Sequence, residues 1–230
     1  MNYFLHFSFK VAYLKSLYFN LHYLPLKQAI RCPIILARGV KLLTLKGQVQ
    51  IKSTGVSYGM IKIGFKHYGF QTKKDKTIIE NNGGQLIFNS RAEIGQGTAI
   101  ILGKSGSLYL NRGVCIGGNS KIICYDHITI GANSRFAWDI ALIDTDFHKT
   151  INLLTKELSE GKAPIVIGEN NWIGFGTTIL KGTSTPDFCV IAAKSLLLKK
   201  YEYGDHCLLA GHPAVMKNER ISRDFSSFVE

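Results

Sequence analysis

The dipeptide Ile-Gly recurs along the chain, and its spacing restricts the possible folds more than any other feature of the sequence. It occurs at residues 63, 94, 116, 130, 167 and 173. From Ile167, every sixth residue is aliphatic with one exception, in the order Ile167, Ile173, Ile179, Thr185, Ile191 and Leu197. A period of six keeps these residues on one face of neither an α-helix nor a simple amphipathic strand. The chain must therefore turn after each short segment.

The same period is found upstream of Ile167. It runs through Leu110, Ile116, Ile122 and Ile128, slips by two residues, and resumes at Ile130, Phe136 and Leu142. If each hexad forms one short strand and one turn, the aliphatic residue points into a shared core, and Gly, Asn or Asp follows at the bend. A β-sandwich would instead space its turns about 8–12 residues apart. The sequence therefore predicts an all-β solenoid, in which each turn is buried against its neighbours.

Positive charge is concentrated in the N-terminal third of the 230-residue chain. The formal net charge is +12. Residues 1–80 contain 13 Lys and Arg against two acids, Asp75 and Glu80, whereas residues 81–230 contain 15 against 14. The basicity therefore belongs to the N-terminal third and suggests an acidic partner, either a membrane surface or a nucleic acid.

Cysteine usage and hydropathy bear on the compartment. The five cysteines form no CxxC motif and no spacing that suits a zinc site, so we expect a reduced cytoplasmic protein. Lys10 and Lys15 interrupt the aromatic N-terminus, and no small-residue cleavage site follows, which argues against a signal peptide. No run of 18 apolar residues is present, which argues against a spanning helix.

The repeats resemble a known family. Residues 85–217, and above all the segments IVIGENNWIGFGTTILKG, VIAAKSLLLKK and LLAGHPAVMKN, are similar to the hexapeptide-repeat acyltransferases, especially the sugar O-acetyltransferases of the galactoside and maltose type and those that modify capsule or lipopolysaccharide. The resemblance implies a left-handed parallel β-helix, acetyl-CoA as acyl donor, and a homotrimer with sites between subunits. The left hand comes from the resemblance alone, since general rules for parallel crossovers predict the opposite.

Three segments follow along the chain. Residues 1–40 are expected to form a basic, aromatic appendage, helical around Leu14, Leu17, Tyr18 and Leu21 and ended by Pro25. Residues 41–205 should form the β-helix, with coils beginning near Leu45 and a loop at 148–164, where the repeat is absent. Residues 206–230 are left as a C-terminal tail. A long loop in a regular solenoid is more often functional than decorative.

The segment IDTDFH provides the candidate catalyst. Transfer of an acetyl group from a thioester to a hydroxyl needs a base near neutral pH, which a histidine provides. The segment matches the place where the family has its catalytic histidine, which implies that His148 is the general base. Asp144 or Asp146 would orient and stabilise its imidazole, and the sequence does not decide between them. The resemblance implies direct attack, so no cysteine nucleophile is required.

Candidate coenzyme A contacts come from the last repeats. Gly174, Ala192 and Ala193 occupy equivalent places, resemble the family's pantetheine contacts, and are small enough for the arm to lie against backbone. Trp172 should point away from the core, as a wall of the cleft, as packing between subunits, or as both.

Cations are expected beyond the last coil, where the resemblance places the nucleotide. Lys199, Lys200 and Lys217 are the candidates for the phosphates, and a solvated cap face is the alternative. No metal site is predicted.

The favoured function is acetyl-CoA-dependent O-acetylation of a saccharide acceptor, either a surface polysaccharide or a lipid-linked sugar. N-acylation of an amino sugar is the nearest alternative, and a non-catalytic scaffold is another. A solenoid carbonic anhydrase would need three histidines at a zinc ion, and no two histidines are expected five or six residues apart on a strand. The chain has no nucleic-acid motif, so no nucleic-acid partner is expected.

Aromatic residues crowd the N-terminus and suggest peripheral association with the inner face of an anionic membrane. Eight of them fall in the first 23 residues: Tyr3, Phe4, Phe7, Phe9, Tyr13, Tyr18, Phe19 and Tyr23. Rings favour the headgroup region, and basic residues are attracted to anionic lipid. The alternative is that the rings cap the open end of the first coil, but capping leaves the basic charge unexplained.

Overall fold

The computed structural model describes residues 10–66, 68–72 and 74–224. Short parallel strands wind into a β-helix, preceded by two helices, α1 (Tyr13–Tyr23) and α2 (Leu26–Ala29). The strands are β1 Ile34–Leu36, β2 Lys41–Leu45, β3 Gln48–Ile51, β4 Ile61–Phe65, β5 Ile78–Asn81, β6 Gln85–Phe88, β7 Ala92–Gly95, β8 Ala99–Leu102, β9 Ser107–Leu110, β10 Val114–Ile116, β11 Lys121–Cys124, β12 His127–Ile130, β13 Arg135–Phe136, β14 Ala141–Ile143, β15 Ile165–Ile167, β16 Trp172–Ile173, β17 Thr178–Leu180, β18 Val190–Ile191, β19 Leu196–Leu197, β20 Cys207–Gly211 and β21 Ala214–Glu219. The predicted all-β solenoid is confirmed.

Every third strand stacks on the same side of the prism. Face 1 is the nine-stranded sheet β1-β4-β7-β10-β13-β16-β18-β20-β21, face 2 is the seven-stranded sheet β2-β5-β8-β11-β14-β17-β19, and face 3 is the five-stranded sheet β3-β6-β9-β12-β15. All neighbours pair in parallel except β20 and β21, which form an antiparallel end. One coil therefore contributes one strand to each face, and a site at a corner draws residues from turns of successive coils.

The aliphatic hexad positions form the core. Ile167, Ile173, Ile179, Ile191 and Leu197 are at most 1% exposed. The two-residue slip after Ile128 has a simple cause, because β12 points two residues inward, Ile128 and Ile130, and both are fully buried. Strand alternation thus permits either residue to continue the register.

Thr185 breaks the aliphatic pattern and is nevertheless buried. Its hydroxyl accepts hydrogen bonds from the Asn171 side-chain amide (2.7 Å) and from the Gly168 backbone N–H (3.2 Å). Asn171 is itself fully buried, and its carbonyl oxygen accepts a hydrogen bond from the Cys189 N–H. The threonine therefore provides a hydrogen-bond acceptor for two donor groups of a buried polar network, as the burial of polar groups requires.

Helix α1 closes the open end of the solenoid with polar side chains. The Asn20 amide oxygen accepts from the Ile34 N–H (3.1 Å), and its NH₂ group donates to the Ile34 carbonyl (2.7 Å). The Ser16 hydroxyl accepts from the Leu36 N–H (2.9 Å). These bonds satisfy backbone groups of β1 that would otherwise form an unpaired strand edge. Ser16, Phe19 and Asn20 are the buried face of the helix.

The coils extend further in both directions than the sequence indicated. Their expected start near Leu45 is wrong, because β1 already pairs in parallel with β4, in register Ile34 to Ile61. At the other end β20 still pairs with β18, in register Val190 to Leu208. The division at residues 40 and 205 stays a prediction. In the described part of the chain, no helix is long and apolar enough to cross a bilayer.

Candidate active site

A cleft runs along face 1 and the corner between faces 1 and 2, with a volume of about 1130 Å³. It is lined by four residues singled out from the sequence, Trp172, Gly174, Ala192 and Ala193. A Cβ atom on Gly174 would lie 2.5 Å from the Ala193 backbone nitrogen, so successive turns approach closely at this point. Small residues therefore leave the backbone of the turns accessible at the cleft wall.

The lysines predicted for the phosphates lie elsewhere. Lys199 and Lys200 are exposed residues after β19, and Lys217 is exposed on β21. The Lys199 ammonium lies 5.8 Å from the centre of the Tyr201 ring. None of the three lines the cleft.

The cleft is also lined by two arginines that were not predicted from the sequence, Arg135 and Arg223. Arg135 points outward from β13 beside Trp172 of β16, with which it pairs in register. The pKa of Arg223 is lowered, first by burial and then by the positive charge of Arg135. An anionic ligand group would offset this repulsion. The sequence signal for Arg135 is a basic residue at an outward position in the middle of the repeats, which indicates a candidate contact for an anionic ligand.

His148 lies on a loop that leaves the coil between β14 and β15, at the corner of faces 2 and 3. The loop turns back on itself through the Ile151–Leu158 bridge and the hydrogen bond from the Ser159 N–H to the Thr150 carbonyl (2.7 Å). His148 is exposed, and its imidazole has no hydrogen-bond partner among the described residues. Within one chain, therefore, the histidine and the cleft lie at different corners.

Neither predicted aspartate bonds to the histidine ring. Asp144 is fully buried, and its carboxylate accepts hydrogen bonds from the Tyr125 N–H (2.7 Å) and the Asp126 N–H (2.9 Å). Burial raises the pKa of Asp144, and these two donors counteract the shift. Asp146 is exposed and pairs with the Lys181 ammonium (2.9 Å). Orientation of His148 by either carboxylate is thus not observed, because both are engaged in holding the base of the loop.

Asp144 should therefore matter for stability. Replacing it by alanine leaves two partly buried N–H groups without their acceptor, and we expect the free energy of unfolding to fall by about 2–4 kcal/mol. Asp144→Asn, which keeps one oxygen acceptor, should lose less. Urea unfolding measures both.

The control is Asp146→Ala, which removes an exposed ion pair and should cost at most about 1 kcal/mol. Equal losses at the two positions would contradict the assignment of Asp144 to the loop base.

Three of the other described histidines have local contacts. The His127 Nε2 lies 2.9 Å from the Thr129 hydroxyl, the His206 ring stacks on Phe188, and the His22 Nε2 lies 3.0 Å from the Leu45 carbonyl. His6 and His67 lie outside the described residues. Across residues 10–66, 68–72 and 74–224, no group of three His, Cys, Asp or Glu side chains could hold a metal ion.

Known proteins share both sequence and fold with this chain. An uncharacterised 24.8 kDa protein in the cps region of Klebsiella pneumoniae is 32% identical over 142 residues, which are 62% of either chain. Galactoside O-acetyltransferase of Lactococcus lactis subsp. lactis (strain IL1403) is 26% identical over 121 residues, 53% of this chain and 54% of the relative. The crystallised polysialic acid O-acetyltransferase OatWY superposes with a TM-score of 0.61 at 20% identity, covering 82% of this chain and 92% of that one.

The resemblance to the hexapeptide-repeat acyltransferases is confirmed. The fold includes the left-handed parallel β-helix of that family. No protein-family model matches the chain. The chain spans between half and two thirds of the length of the two sequence relatives described above.

Proposed function

We propose that the protein is an acetyl-CoA-dependent O-acetyltransferase that acylates a saccharide hydroxyl. The observation that carries the proposal is the cleft at one corner of the prism, lined by Gly174, Ala192 and Ala193, together with the exposed His148 on the loop of the next corner. The relatives named galactoside and polysialic acid O-acetyltransferase support this reaction and an acceptor of the sugar class.

His148 acts as the general base in this proposal. As the acceptor oxygen forms a bond to the thioester carbonyl carbon, the imidazole takes the hydroxyl proton, and the carbon–sulfur bond then breaks. The proton passes to the departing coenzyme A thiolate, so that the products are the acetyl ester and the free thiol. An exposed imidazole without a hydrogen-bond partner in the described part of the chain is able to accept this proton from a bound substrate.

The cysteines support direct attack on the thioester. Cys124, Cys189 and Cys207 are buried, and burial raises the pKa of Cys124 and Cys189 far above the ordinary value of a thiol. Burial also raises the pKa of Cys32 and Cys115. The thiolate, which is the nucleophilic form, is thus disfavoured at four of the five.

The acetyl donor occupies the cleft in this scheme. Its pantetheine arm lies against the turns at Gly174, Ala192 and Ala193, beside Trp172, and Arg135 and Arg223 add positive charge to the same cleft. Lys199, Lys200 and Lys217 stay candidates for phosphate contacts at the end of the solenoid, where all three are exposed to solvent.

A homotrimer completes the site. Face 2 presents outward a row of partly exposed apolar side chains in register: Ile101, Ile123, Ile143 and Leu180. The corresponding outward residues of face 3 include the polar Gln50, Tyr109 and Thr129. An apolar row on one face is typical of a surface that is covered by another molecule. A second copy on face 2 would bring its own corner to the cleft and its loop histidine within reach.

An acceptor screen tests the function. Purified protein is incubated with acetyl-CoA and a panel of mono- and oligosaccharides, and thiol release is followed. Acceptor-dependent release supports the proposal, and release that is independent of every acceptor opposes it. His148→Ala protein, treated identically, controls for background hydrolysis.

We also propose that helix α1 places the enzyme on an anionic membrane surface, at the inner face of the cytoplasmic membrane. Capping of the first coil uses the polar face of the helix, so its outer face is left uncovered. That face is apolar and exposed: Tyr13 51%, Leu14 85%, Leu17 42%, Tyr18 55% and Leu21 48%. Leu26 and Ile30, each 67% exposed, continue it along α2. The aromatics Tyr3, Phe4, Phe7 and Phe9 lie outside the described residues.

The charge of this region favours an anionic surface as the partner. Lys10, Lys27 and Arg31 are exposed next to these apolar residues, and no acidic residue precedes Asp75. Each basic residue near an anionic bilayer contributes about 1 kcal/mol of attraction. An amphipathic helix with this composition lies in the interface plane rather than across the bilayer.

Vesicle sedimentation gives a measurable result. The protein should pellet with vesicles of phosphatidylglycerol and phosphatidylcholine at low salt and be released at high salt. Leu14→Glu should reduce the bound fraction at least about tenfold, because it removes a leucine that the bilayer would bury and adds a charge that anionic lipid repels. Leu154→Glu, at a 93% exposed leucine on the loop, is the matched control and should bind like wild type.

Equal binding to pure phosphatidylcholine, or none to either vesicle, would reject the electrostatic attachment. Loss of self-association in Leu14→Glu would show instead that the face contacts a second copy.

A further inference from the structure

Four aromatic side chains from distant parts of the sequence form one continuous cluster at the corner of faces 1 and 2. The Tyr68 and Phe70 rings stack at 5.4 Å, and each meets the Trp138 ring edge-on, at 4.9 and 5.5 Å. Trp138 in turn stacks on Phe175 at 5.3 Å. We call these four residues the aromatic corner.

The aromatic corner is held in place by polar contacts beneath it. Tyr68 and Phe70 come from an excursion between β4 and β5. Gln71 in this excursion is only 3% exposed and donates from Nε2 to the Gln96 carbonyl (2.7 Å), and the Gln96 side chain donates to the Asp75 carbonyl (3.1 Å). The excursion is therefore fixed on the corner of the third coil, and its rings are presented to solvent in a defined arrangement.

Burial alone does not account for these rings. Phe70 is 52% and Phe175 37% exposed, so a large part of their apolar surface faces water. Tyr68, Trp138 and Phe175 line the same cleft as Gly174 and Ala193. Three of the four rings thus form one wall of the proposed active site, and Phe70, which does not line the cleft, extends this aromatic surface away from it.

Basic side chains border the aromatic corner at both ends. The Lys194 ammonium lies 5.3 Å from the centre of the Phe175 ring, a cation–π distance. Three described lysines are exposed on the excursion: Lys66, Lys74 and Lys76. The acidic residue of the same segment is Asp75, so the excursion has a positive net charge.

Lys194 occupies an unusual backbone position. Its φ is 60°, in the left-handed region, and the equivalent turn positions are Gly97, Asn119, Asp139 and Gly176, residues that tolerate this conformation well. A lysine in this conformation is strained relative to glycine, and the contact of its ammonium with the Phe175 ring is one that glycine could not make.

We propose that the aromatic corner binds the acceptor, and that the acceptor is an acidic saccharide. The inference rests on the proposed function and names the substrate class of that site. Sugar rings have apolar C–H faces that pack on aromatic rings, while their carboxylates or other anionic groups are attracted by Lys194 and the lysines of the excursion. Several neighbouring rings along one corner suit more than one sugar unit.

Tryptophan fluorescence tests binding without requiring catalysis. The chain has two tryptophans, so Trp172→Phe leaves Trp138 of the aromatic corner as the single reporter. This variant is titrated with oligomers of α2,8-linked sialic acid and of galacturonic acid, and with the neutral methyl ester of the latter. We expect at least one acidic oligomer to change the Trp138 emission saturably, and the methyl ester to bind at least several-fold more weakly.

Substitutions locate the binding surface. In the same Trp172→Phe background, Phe70→Ala should raise the dissociation constant of the oligosaccharide by about 2- to 10-fold, and Phe70→Tyr should retain most of the affinity. Neither substitution should change the affinity for acetyl-CoA. Tyr58→Ala, at a 57% exposed tyrosine outside the corner, is the matched control. Circular dichroism checks that each variant is folded.

Three results would overturn the inference: no oligomer changes the Trp138 emission, the methyl ester binds as tightly as the acid, or Phe70→Ala weakens acetyl-CoA instead. If an acidic oligomer binds but no acetyl group is transferred to any sugar, the proposed function fails while the saccharide site stands.

Discussion

Replacing His148 by alanine should lower the turnover number of acetyl transfer by about 10²- to 10⁴-fold. The side chain is exposed and has no hydrogen-bond partner among the described residues, so its loss should leave the fold intact. Acetyl-CoA binding, measured by titration calorimetry, should be unchanged because the residues proposed to hold acetyl-CoA do not include His148. Thiol release in the presence of an accepted sugar measures the turnover number.

His127→Ala is the control for His148→Ala. His127 points outward from β12 on face 3 and contacts Thr129 and Tyr109, away from the cleft. We expect its removal to leave the turnover number within about twofold, as is usual for substitutions at surface positions. If His148→Ala keeps near-full activity with any accepted sugar, His148 is not the base.

Ile123→Lys should convert the trimer to monomers and abolish activity. Ile123 points outward at the centre of the apolar row on face 2. A lysine there would have its charge buried between subunits without a partner, at a cost of roughly 3 kcal/mol or more in each contact. Light scattering should give a mass near that of one 25.6 kDa chain for the variant and three times that mass for the wild type.

Val166→Lys is the matched control for Ile123→Lys. Val166 is an outward β-branched residue on face 3, 40% exposed, and its change to lysine should leave both mass and activity unaltered. An active wild-type preparation with the mass of one chain would contradict the trimer.

The hexad register allowed the core to be predicted from sequence, because each aliphatic position has one strand and one turn associated with it. The same register also predicts the position of Asp144. Leu142 of β14 points into the core of the solenoid. Strand alternation therefore predicts that Asp144, two residues later, also points inward. Its burial and its role at the base of the loop follow from that position rather than from its proximity to His148 in sequence.

Other features could not be predicted from local patterns. Strand β1 has no Ile-Gly signal, and only its pairing with β4 identifies Ile34–Leu36 as part of the first coil. The aromatic corner joins Tyr68 and Phe70 to Trp138 and Phe175 through contacts between coils. Such contacts depend on how long each excursion is and where it folds back, which residue types alone do not specify.

The position of helix α1 shows a similar limit. The helix expected around Leu14 and Leu17 is present, yet those leucines face outward, and the polar Ser16 and Asn20 face the solenoid. Hydrophobic patterning by itself predicts the opposite orientation. The exposed N–H and C=O groups of β1 decide the outcome, because only hydrogen-bonding side chains satisfy a strand edge.

Product analysis shows directly whether the protein forms an acetyl ester on a sugar. The purified protein is incubated with acetyl-CoA and each sugar of the acceptor panel, and products are examined by mass spectrometry before and after mild alkaline treatment. We expect one added acetyl group on a saccharide, which base removes as it removes an ester, and one equivalent of coenzyme A thiol released. An acetyl group that resists base, as an amide does, or a complete absence of acetylated sugar would contradict it.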